Sequence, residues 1–342
     1  MSKTARIDNK VAITRGSEVV FFITVLRALA ACTITNAHYT DIYPTDLIAN
    51  GGLIGDVLFF AVSGYCLYNV KYAANLRGFA GWYGKRIWRV YPPVLIMTGI
   101  YMLLGAYSLS DHSVVWWYIY PTYYHFVASI IVLYIPFFVI MKIEVFKRRI
   151  ISIMIGLAVA WMLVYIVFYD KSYYHIDTVR EPMVRFLFME SMLLGAYFRQ
   201  KDRELRNKFK AIYPIIAFTV FLVYFASKLA FSHIEVLSLF QFLNQITLFI
   251  FLYFLFRTFC SIDNILKRMP GWLKCIVSFL SEMTLEIYVV QYAIIEVIRN
   301  LDLFFPLNWI MLTAAIIISA FILHIVCDVI YKGVDKIITK KQ

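Results

Sequence analysis

Ten apolar runs, each long enough to cross a bilayer as a helix, constrain this chain more than any other feature. A membrane-spanning helix needs about 20 mostly apolar residues. Composition agrees, because 62% of the residues are hydrophobic and only 16% are charged, whereas soluble domains carry roughly 25% charged residues. We therefore predict an all-α integral membrane protein, a bundle of about ten transmembrane helices. The runs lie near 18–37, 52–70, 90–109, 122–141, 150–168, 182–198, 211–228, 237–256, 275–298 and 308–330.

The basic residues indicate how this bundle is oriented. Cytoplasmic loops of membrane proteins carry an excess of Lys and Arg. Of the 33 Lys and Arg residues, 27 lie in the N-terminal tail or in the alternate connections 71–89, 142–149, 199–210, 257–274 and 331–342. This asymmetry predicts that both termini are cytoplasmic. It also accounts for the net charge of +12 without a nucleic-acid partner.

No linker or polar block interrupts the apolar pattern, so residues 1–342 are predicted to form a single membrane domain. Residues 1–17 and 331–342 would be cytoplasmic tails. The basic N-terminus precedes the first run without a small-residue cleavage site, which favours a retained tail over a signal peptide. The five cysteines show no CxxC spacing. We therefore expect neither a disulfide framework nor a metal site.

Arg27 lies midway through the first predicted span, where a charge is costly. An arginine at the centre of a membrane helix costs roughly 2.5–3.5 kcal/mol on insertion scales, so it should face a partner or an aqueous cavity. His38 follows eleven residues later, close to three helical turns, which places both side chains on one face about 16 Å apart along the axis. A structural ion pair would explain Arg27 alone, and an interfacial histidine would explain His38 alone. Their shared face favours a functional site.

Asp41 lies about one turn beyond His38, where its carboxylate would be able to accept the imidazole N–H and fix the tautomer. Asp46 is a less well placed candidate for the same role. The remaining intramembrane polar groups are expected to pair with one another or with Arg27. This group comprises Asp56, Arg185, Glu190, Glu282, Glu286 and Glu296. Glu282 and Glu286 are four residues apart and share a helix face, so both would be able to pair with arginines of other helices.

A basic cluster, Lys85, Arg86 and Arg89, lies on the predicted cytoplasmic side at the start of the third span. Arg86 and Arg89 are three residues apart, so they are able to present two guanidinium groups to one phosphate. Ordinary positive flanking of a membrane helix explains the same residues equally simply. The residues alone leave both interpretations open.

Four stretches together resemble one protein family, the membrane-bound acyltransferase family 3 of bacterial surface-polysaccharide O-acetyltransferases. They are the Arg27–x10–His38 spacing, GDVLFFAVSGY at 55–65, WYGKRIWRVYPP at 82–93 and SEMTLEIYVVQ at 281–291. The resemblance extends from about residue 18 to 330. Two positions depart from the family pattern. His125-Phe-Val replaces a Trp-Tyr/Phe-Leu start, and Gln291 replaces a commoner His, so Gln291 is assigned no proton-transfer role.

The resemblance implies a fold of about ten spans in a bacterial inner membrane and the transfer of an acyl group, usually acetyl. The donor would be cytoplasmic acetyl-CoA, without a metal, and the acceptor a hydroxyl of an exported polysaccharide or its lipid-linked precursor. His38 would be a general base or a transient acyl carrier, and Arg27 would stabilise negative charge. Arg86, Arg89 and Lys85 would bind the CoA phosphates.

Two other functions are compatible with the same residues. A transporter or flippase for a sugar or lipid would use Arg27 and His38 for binding and coupling. A scaffold component of a polysaccharide synthase would use them only as structural partners. The sequence shows no convincing internal repeat, which disfavours an inverted-repeat transporter.

Overall fold

The computed structural model describes residues 20–119, 124–178, 183–301 and 303–339, and the chain in these ranges is helical, without strands. The predicted N-terminal tail lies outside the described residues. Eleven long helices form in the described ranges: α1 Phe21–Ala37, α2 Gly52–Leu67, α3 Leu76–Leu103, α4 His125–Lys142, α5 Ile150–Phe168, α6 Val184–Gln200, α7 Ile212–His233, α8 Phe242–Ser261, α9 Gly271–Glu282, α10 Thr284–Arg299 and α11 Leu307–Thr339.

Short helical segments join several of these helices. One of them, a π-helical turn at Val115–Ile119, lies in the 109–125 stretch, for which the aromatic sequence suggests an interfacial helix. The others are Glu144–Arg148, Asp202–Leu205, the 3-10 helix Glu235–Phe240 and Asp263–Leu266.

Three of the predicted spans differ from the helices of the structure. Helix α3 begins at Leu76, well before residue 90, because Asn75 caps it by accepting a hydrogen bond from the Gly78 N–H at 2.7 Å. The run at 275–298 is two helices separated at Met283. A break of one apolar residue leaves the hydropathy pattern unchanged, so the pattern does not reveal it. Helix α11 continues to Thr339, so most of the predicted C-terminal tail is helical.

Five of the described helices, α4, α5, α7, α8 and α11, are long and apolar enough to cross a membrane, and α1 and α2 are shorter apolar helices. Within α5 and α7 only 17% of the apolar window is buried, which places these two helices at the lipid-facing surface of the bundle. The protein is thus a membrane protein with an all-helical fold. The count of ten spans and the orientation of the termini stay predictions.

Glycines allow the central helices to approach closely. A Cβ at Gly195 of α6 would lie 1.7 Å from the Ala61 carbonyl oxygen of α2, and one at Gly64 of α2 would lie 1.9 Å from the Met192 carbonyl oxygen. Alongside them, the rings of Phe60 and Phe188 stack with centroids 4.3 Å apart. Small residues at helix contacts allow the close van der Waals packing on which association within lipid depends.

Helix α1 is fixed at both ends. At its start, the Phe22 N–H donates a 2.8 Å hydrogen bond to the buried carboxylate of Asp263. Near its end, a Cβ at Gly55 of α2 would meet the Ile34 side chain at 2.5 Å, and one at Gly52 would meet the Ala37 Cβ at 3.0 Å. Antiparallel packing of α1 and α2 therefore sets the position of the residue that follows α1, His38.

We predict that Gly195→Ala destabilises the protein by an amount at the upper end of the ~1–3 kcal/mol typical of overpacking, because the backbone of α2 cannot yield as a side chain would. Gly156→Ala is the matched control, since no atom lies within 4 Å of its Cβ position and alanine favours a helix. Thermal unfolding in detergent should show a lower Tm for the first variant only. Equal Tm values for both variants would contradict this packing.

Candidate functional site

A cavity of about 690 Å³ opens where α1 ends, α2 begins and α10 ends. We call it the outer cavity, because the charge pattern predicts that this end of the bundle faces away from the cytoplasm. Its wall includes polar residues from six separate regions of the sequence. Among them are His38, Asn50, Asp56, Asp177, Lys228, Gln291 and Arg299.

His38 lies at the mouth of the outer cavity, directly after the last residue of α1. Within the described residues no group forms a hydrogen bond with its imidazole, so neither ring nitrogen is committed to a protein partner. Although the ring reaches solvent, the pKa of His38 is lowered from its ordinary value because surrounding protein desolvates the charged ring and because Arg299 is nearby. The neutral imidazole, able to accept a proton, is therefore favoured.

Asp41 does not form the expected hydrogen bond with His38. Its carboxylate points out of the cavity, 74% exposed, and lies 3.8 Å from the Arg299 guanidinium. The chain turns away after α1, where Asp41 adopts a positive φ of 63°, and this turn explains the difference from a continued helix. Asp46 accepts a hydrogen bond from the Asp41 N–H at 2.9 Å and so stabilises this turn.

Arg299, at the end of α10, holds the loop that follows His38. It donates to the Thr40 carbonyl oxygen at 2.8 Å and to the His38 carbonyl oxygen at 3.5 Å. It also lies 3.6 Å from the Glu296 carboxylate. These contacts position the backbone of His38 and supply the positive charge that lowers the pKa of its side chain.

Across the cavity, Lys228 of α7 forms an ion pair with Asp177 at 2.6 Å and donates to the Asn50 side-chain oxygen at 3.3 Å. The two cations of the described cavity wall, Lys228 and Arg299, are thus each held by carboxylates. Four tyrosines, Tyr124, Tyr224, Tyr288 and Tyr292, line the space between them. Aromatic faces with neutralised polar groups suit a ligand with both apolar ring faces and hydroxyl groups.

Arg27 lies deeper along α1, and no described residue supplies the carboxylate partner that a structural ion pair requires. Its single hydrogen-bond partner among the described residues is the Cys66 sulfur, at 3.6 Å. By contrast, the buried Arg199 stacks over the Tyr65 ring and donates to its hydroxyl at 3.2 Å. Arg27 therefore keeps its charge available for a group that the polypeptide does not supply.

Lys85, Arg86 and Arg89 lie on adjacent turns in the first half of α3, which begins at Leu76 and ends at Leu103. The guanidinium of Arg86 stacks 4.7 Å from the Trp82 ring and donates to the Trp82 carbonyl oxygen at 3.1 Å, whereas the side chains of Lys85 and Arg89 are exposed. The fold thus places the three cations together on the first half of α3, and α3 starts from the end of the bundle opposite to His38.

Two other intramembrane carboxylates have different surroundings. Glu286 pairs with His324 of α11 at 2.9 Å, not with an arginine as its spacing to Glu282 suggests. Glu190 lines a separate apolar groove of about 570 Å³ between α5, α6 and α8. In the described part of the chain, no group of three His, Cys, Asp or Glu residues is arranged to hold a metal ion.

The sequence analysis did not identify Lys228, Asp177 and Arg299 as site residues. Of these three, only Arg299 belongs to a pattern visible in the sequence. It is one of several polar residues that recur at helical spacing along α10 and line the cavity, namely Tyr288, Gln291, Glu296 and Arg299. Asp177 lies between helices, and its pairing with Lys228 depends on how α7 packs, so no local pattern indicates it.

The arrangement comprises a proton acceptor in a polar cavity, an arginine deeper in the bundle that has no carboxylate partner among the described residues, and a basic cluster on the first half of α3. Comparison with known proteins identifies a family for the chain. A family model described as an acyltransferase domain matches residues 20–329. No significant match was found among curated proteins or among solved structures.

Proposed function

The chain belongs to this acyltransferase family, and we propose that it transfers an acetyl group from cytoplasmic acetyl-CoA to a hydroxyl of a glycan on the other side of a bacterial inner membrane. The proposal rests on two residues of α1 and its end. The imidazole of His38 lines the outer cavity and forms no hydrogen bond with a described residue. Arg27 has no carboxylate partner among the described residues. The acceptor is an exported polysaccharide or its lipid-linked precursor.

On the donor side, Arg86, Arg89 and Lys85 bind the phosphates of CoA. A guanidinium group forms bidentate hydrogen bonds with phosphate oxygens. The side chains of Lys85 and Arg89 are exposed and therefore accessible to a phosphate. From there the thioester extends into the bundle towards Arg27. There the Arg27 guanidinium donates a charge-assisted hydrogen bond to the thioester carbonyl oxygen and holds the donor before the acyl group reaches His38.

At the acceptor side, the neutral imidazole of His38 removes the proton of the glycan hydroxyl. The hydroxyl oxygen forms a bond with the thioester carbonyl carbon, the carbon–sulfur bond breaks, and CoA leaves as a thiolate that takes up a proton. Because Arg27 and His38 are about 16 Å apart along α1, one carbonyl cannot contact both at once. His38 therefore acts after the acyl group has moved past Arg27, as a general base or as a transient acyl carrier.

We predict that His38→Ala lowers kcat for acyl transfer by roughly 10²–10⁴-fold, the usual contribution of a general base, whereas Arg86→Gln combined with Arg89→Gln raises KM for acetyl-CoA by roughly tenfold or more. Transfer of radiolabelled acetyl groups by the purified protein in nanodiscs measures both. Arg148→Gln, which changes an exposed cation on α5's flanking turn, is the control.

The same variants test the competing function. In cells, His38→Ala should leave the glycan exported but not acetylated. A glycan that is no longer exported would identify a flippase, and normal acetylation at normal expression would remove the catalytic role of His38.

The rate of transfer should also depend on pH through His38. Because the pKa of His38 is lowered from 6.5, the imidazole stays neutral to below that pH, and the rate falls only as acid protonates it. Arg299→Gln removes a nearby positive charge, so the pKa should rise and the acid limb of the kcat–pH profile should move to higher pH. Arg299→Lys, which keeps the charge, should leave the limb in place. An identical limb in all three proteins would exclude this role of Arg299.

A further inference from the structure

Asp56 differs from the other well-buried carboxylates of the described chain. Asp202 accepts a hydrogen bond from Tyr65 at 2.8 Å, Asp263 forms an ion pair with Lys267 at 2.8 Å, and Glu286 pairs with His324. Asp56 is only 8% exposed, and no described residue forms a hydrogen bond or ion pair with it. A buried polar group without a partner costs free energy, so the polypeptide alone does not account for this carboxylate.

A second acceptor oxygen shares this property. The side chain of Gln291 is 3% exposed, and its Oε1 has no hydrogen-bond partner among the described residues. Asp56 from α2 and Gln291 from α10 both line the outer cavity. Two buried acceptors that face one space require a ligand that donates hydrogen bonds.

Helix packing sets the depth of Asp56. Its neighbour Gly55 packs against α1 at Ala30 and Ile34, below His38 and above Arg27. Asp56 is therefore placed between the proposed proton acceptor and the proposed path of the acyl group. A hydroxyl bound at this depth would be close to the place where transfer occurs.

We infer that Asp56 and Gln291 bind the acceptor, each by accepting a hydrogen bond from a hydroxyl of an uncharged sugar ring. This inference rests on the acyltransferase function proposed above and adds the chemical class of its acceptor. Tyr288 and Tyr292, on the same helix face as Gln291, supply aromatic surface for the apolar face of the ring.

An anionic sugar fits this cavity less well. A carboxylate on the ligand offers only acceptor atoms and would meet the carboxylate oxygens of Asp56. The cations of the described cavity wall are already engaged, Lys228 by Asp177 and Arg299 by Glu296. The binding residues thus select hydroxyl donors and reject acids.

The test uses the full-length protein in nanodiscs with acetyl-CoA and two probes, p-nitrophenyl β-D-glucopyranoside and p-nitrophenyl β-D-glucuronide, which differ by one carboxylate. Wild-type protein should acetylate the neutral probe with at least tenfold higher kcat/KM. Asp56→Asn and Gln291→Leu should raise KM for the neutral probe about tenfold and leave KM for acetyl-CoA unchanged. Glu190→Gln makes the same chemical change as Asp56→Asn in a different groove and should leave both constants unchanged.

Thermal unfolding separates binding from folding. Asp56→Asn removes a buried carboxylate that lacks a described partner, so its Tm should equal or exceed that of the wild type. A lower Tm would make Asp56 a structural residue and overturn the inference, as would an unchanged KM for the glucoside or a preference for the glucuronide. If acetyl-CoA is consumed but neither probe is acetylated, the inference fails and the acyltransferase function stands. If acetyl-CoA is not consumed at all, the proposed function itself fails.

Discussion

A charge within a bilayer needs an opposite charge, hydrogen-bonding partners or water, because the surrounding hydrocarbon offers none of them. Most intramembrane charges of this protein meet that requirement within the polypeptide. Glu286 pairs with His324 at 2.9 Å, and Glu296 lies 3.6 Å from the Arg299 guanidinium. Arg27, Asp56 and Glu190 do not have such charged partners in the described chain. Glu190 lines a separate apolar groove, whereas Arg27 and Asp56 lie along a single helix pair, and the site follows from these two.

Close helix packing fixes the positions of Arg27 and Asp56 relative to each other. Gly55 allows α2 to lie directly against α1, and Gly195 allows α6 to lie directly against α2, so each side chain has a defined depth. At the end of α1, Arg299 binds the loop at Thr40 and keeps the backbone of His38 in place. A larger residue at either glycine would displace α2 and so change the distances of Asp56 from Arg27 and from His38.

Hydropathy predicted the helical membrane fold, and the bounds of α5, Ile150–Phe168, agree with the predicted 150–168. The resemblance to an acyltransferase family was confirmed over residues 20–329. Partners were harder to predict, because pairing depends on how helices pack and not on local periodicity. Asp56 was expected to pair but forms no hydrogen bond or ion pair with a described residue, whereas Asp41 was expected at His38 and instead lies 3.8 Å from the Arg299 guanidinium. The break at Met283 was also missed, since it does not change the apolar pattern.

The central claim is that the acyl group enters at the basic end of the bundle and reaches a hydroxyl at the end that carries His38. Sealed proteoliposomes in which the protein has one orientation test it directly. With acetyl-CoA on the side of Arg86 and Arg89 and p-nitrophenyl β-D-glucopyranoside on the side of His38, the account predicts an acetylated glycoside, and none when the two compounds are exchanged. Equal transfer in both arrangements, or transfer only when both compounds share one side, would contradict it.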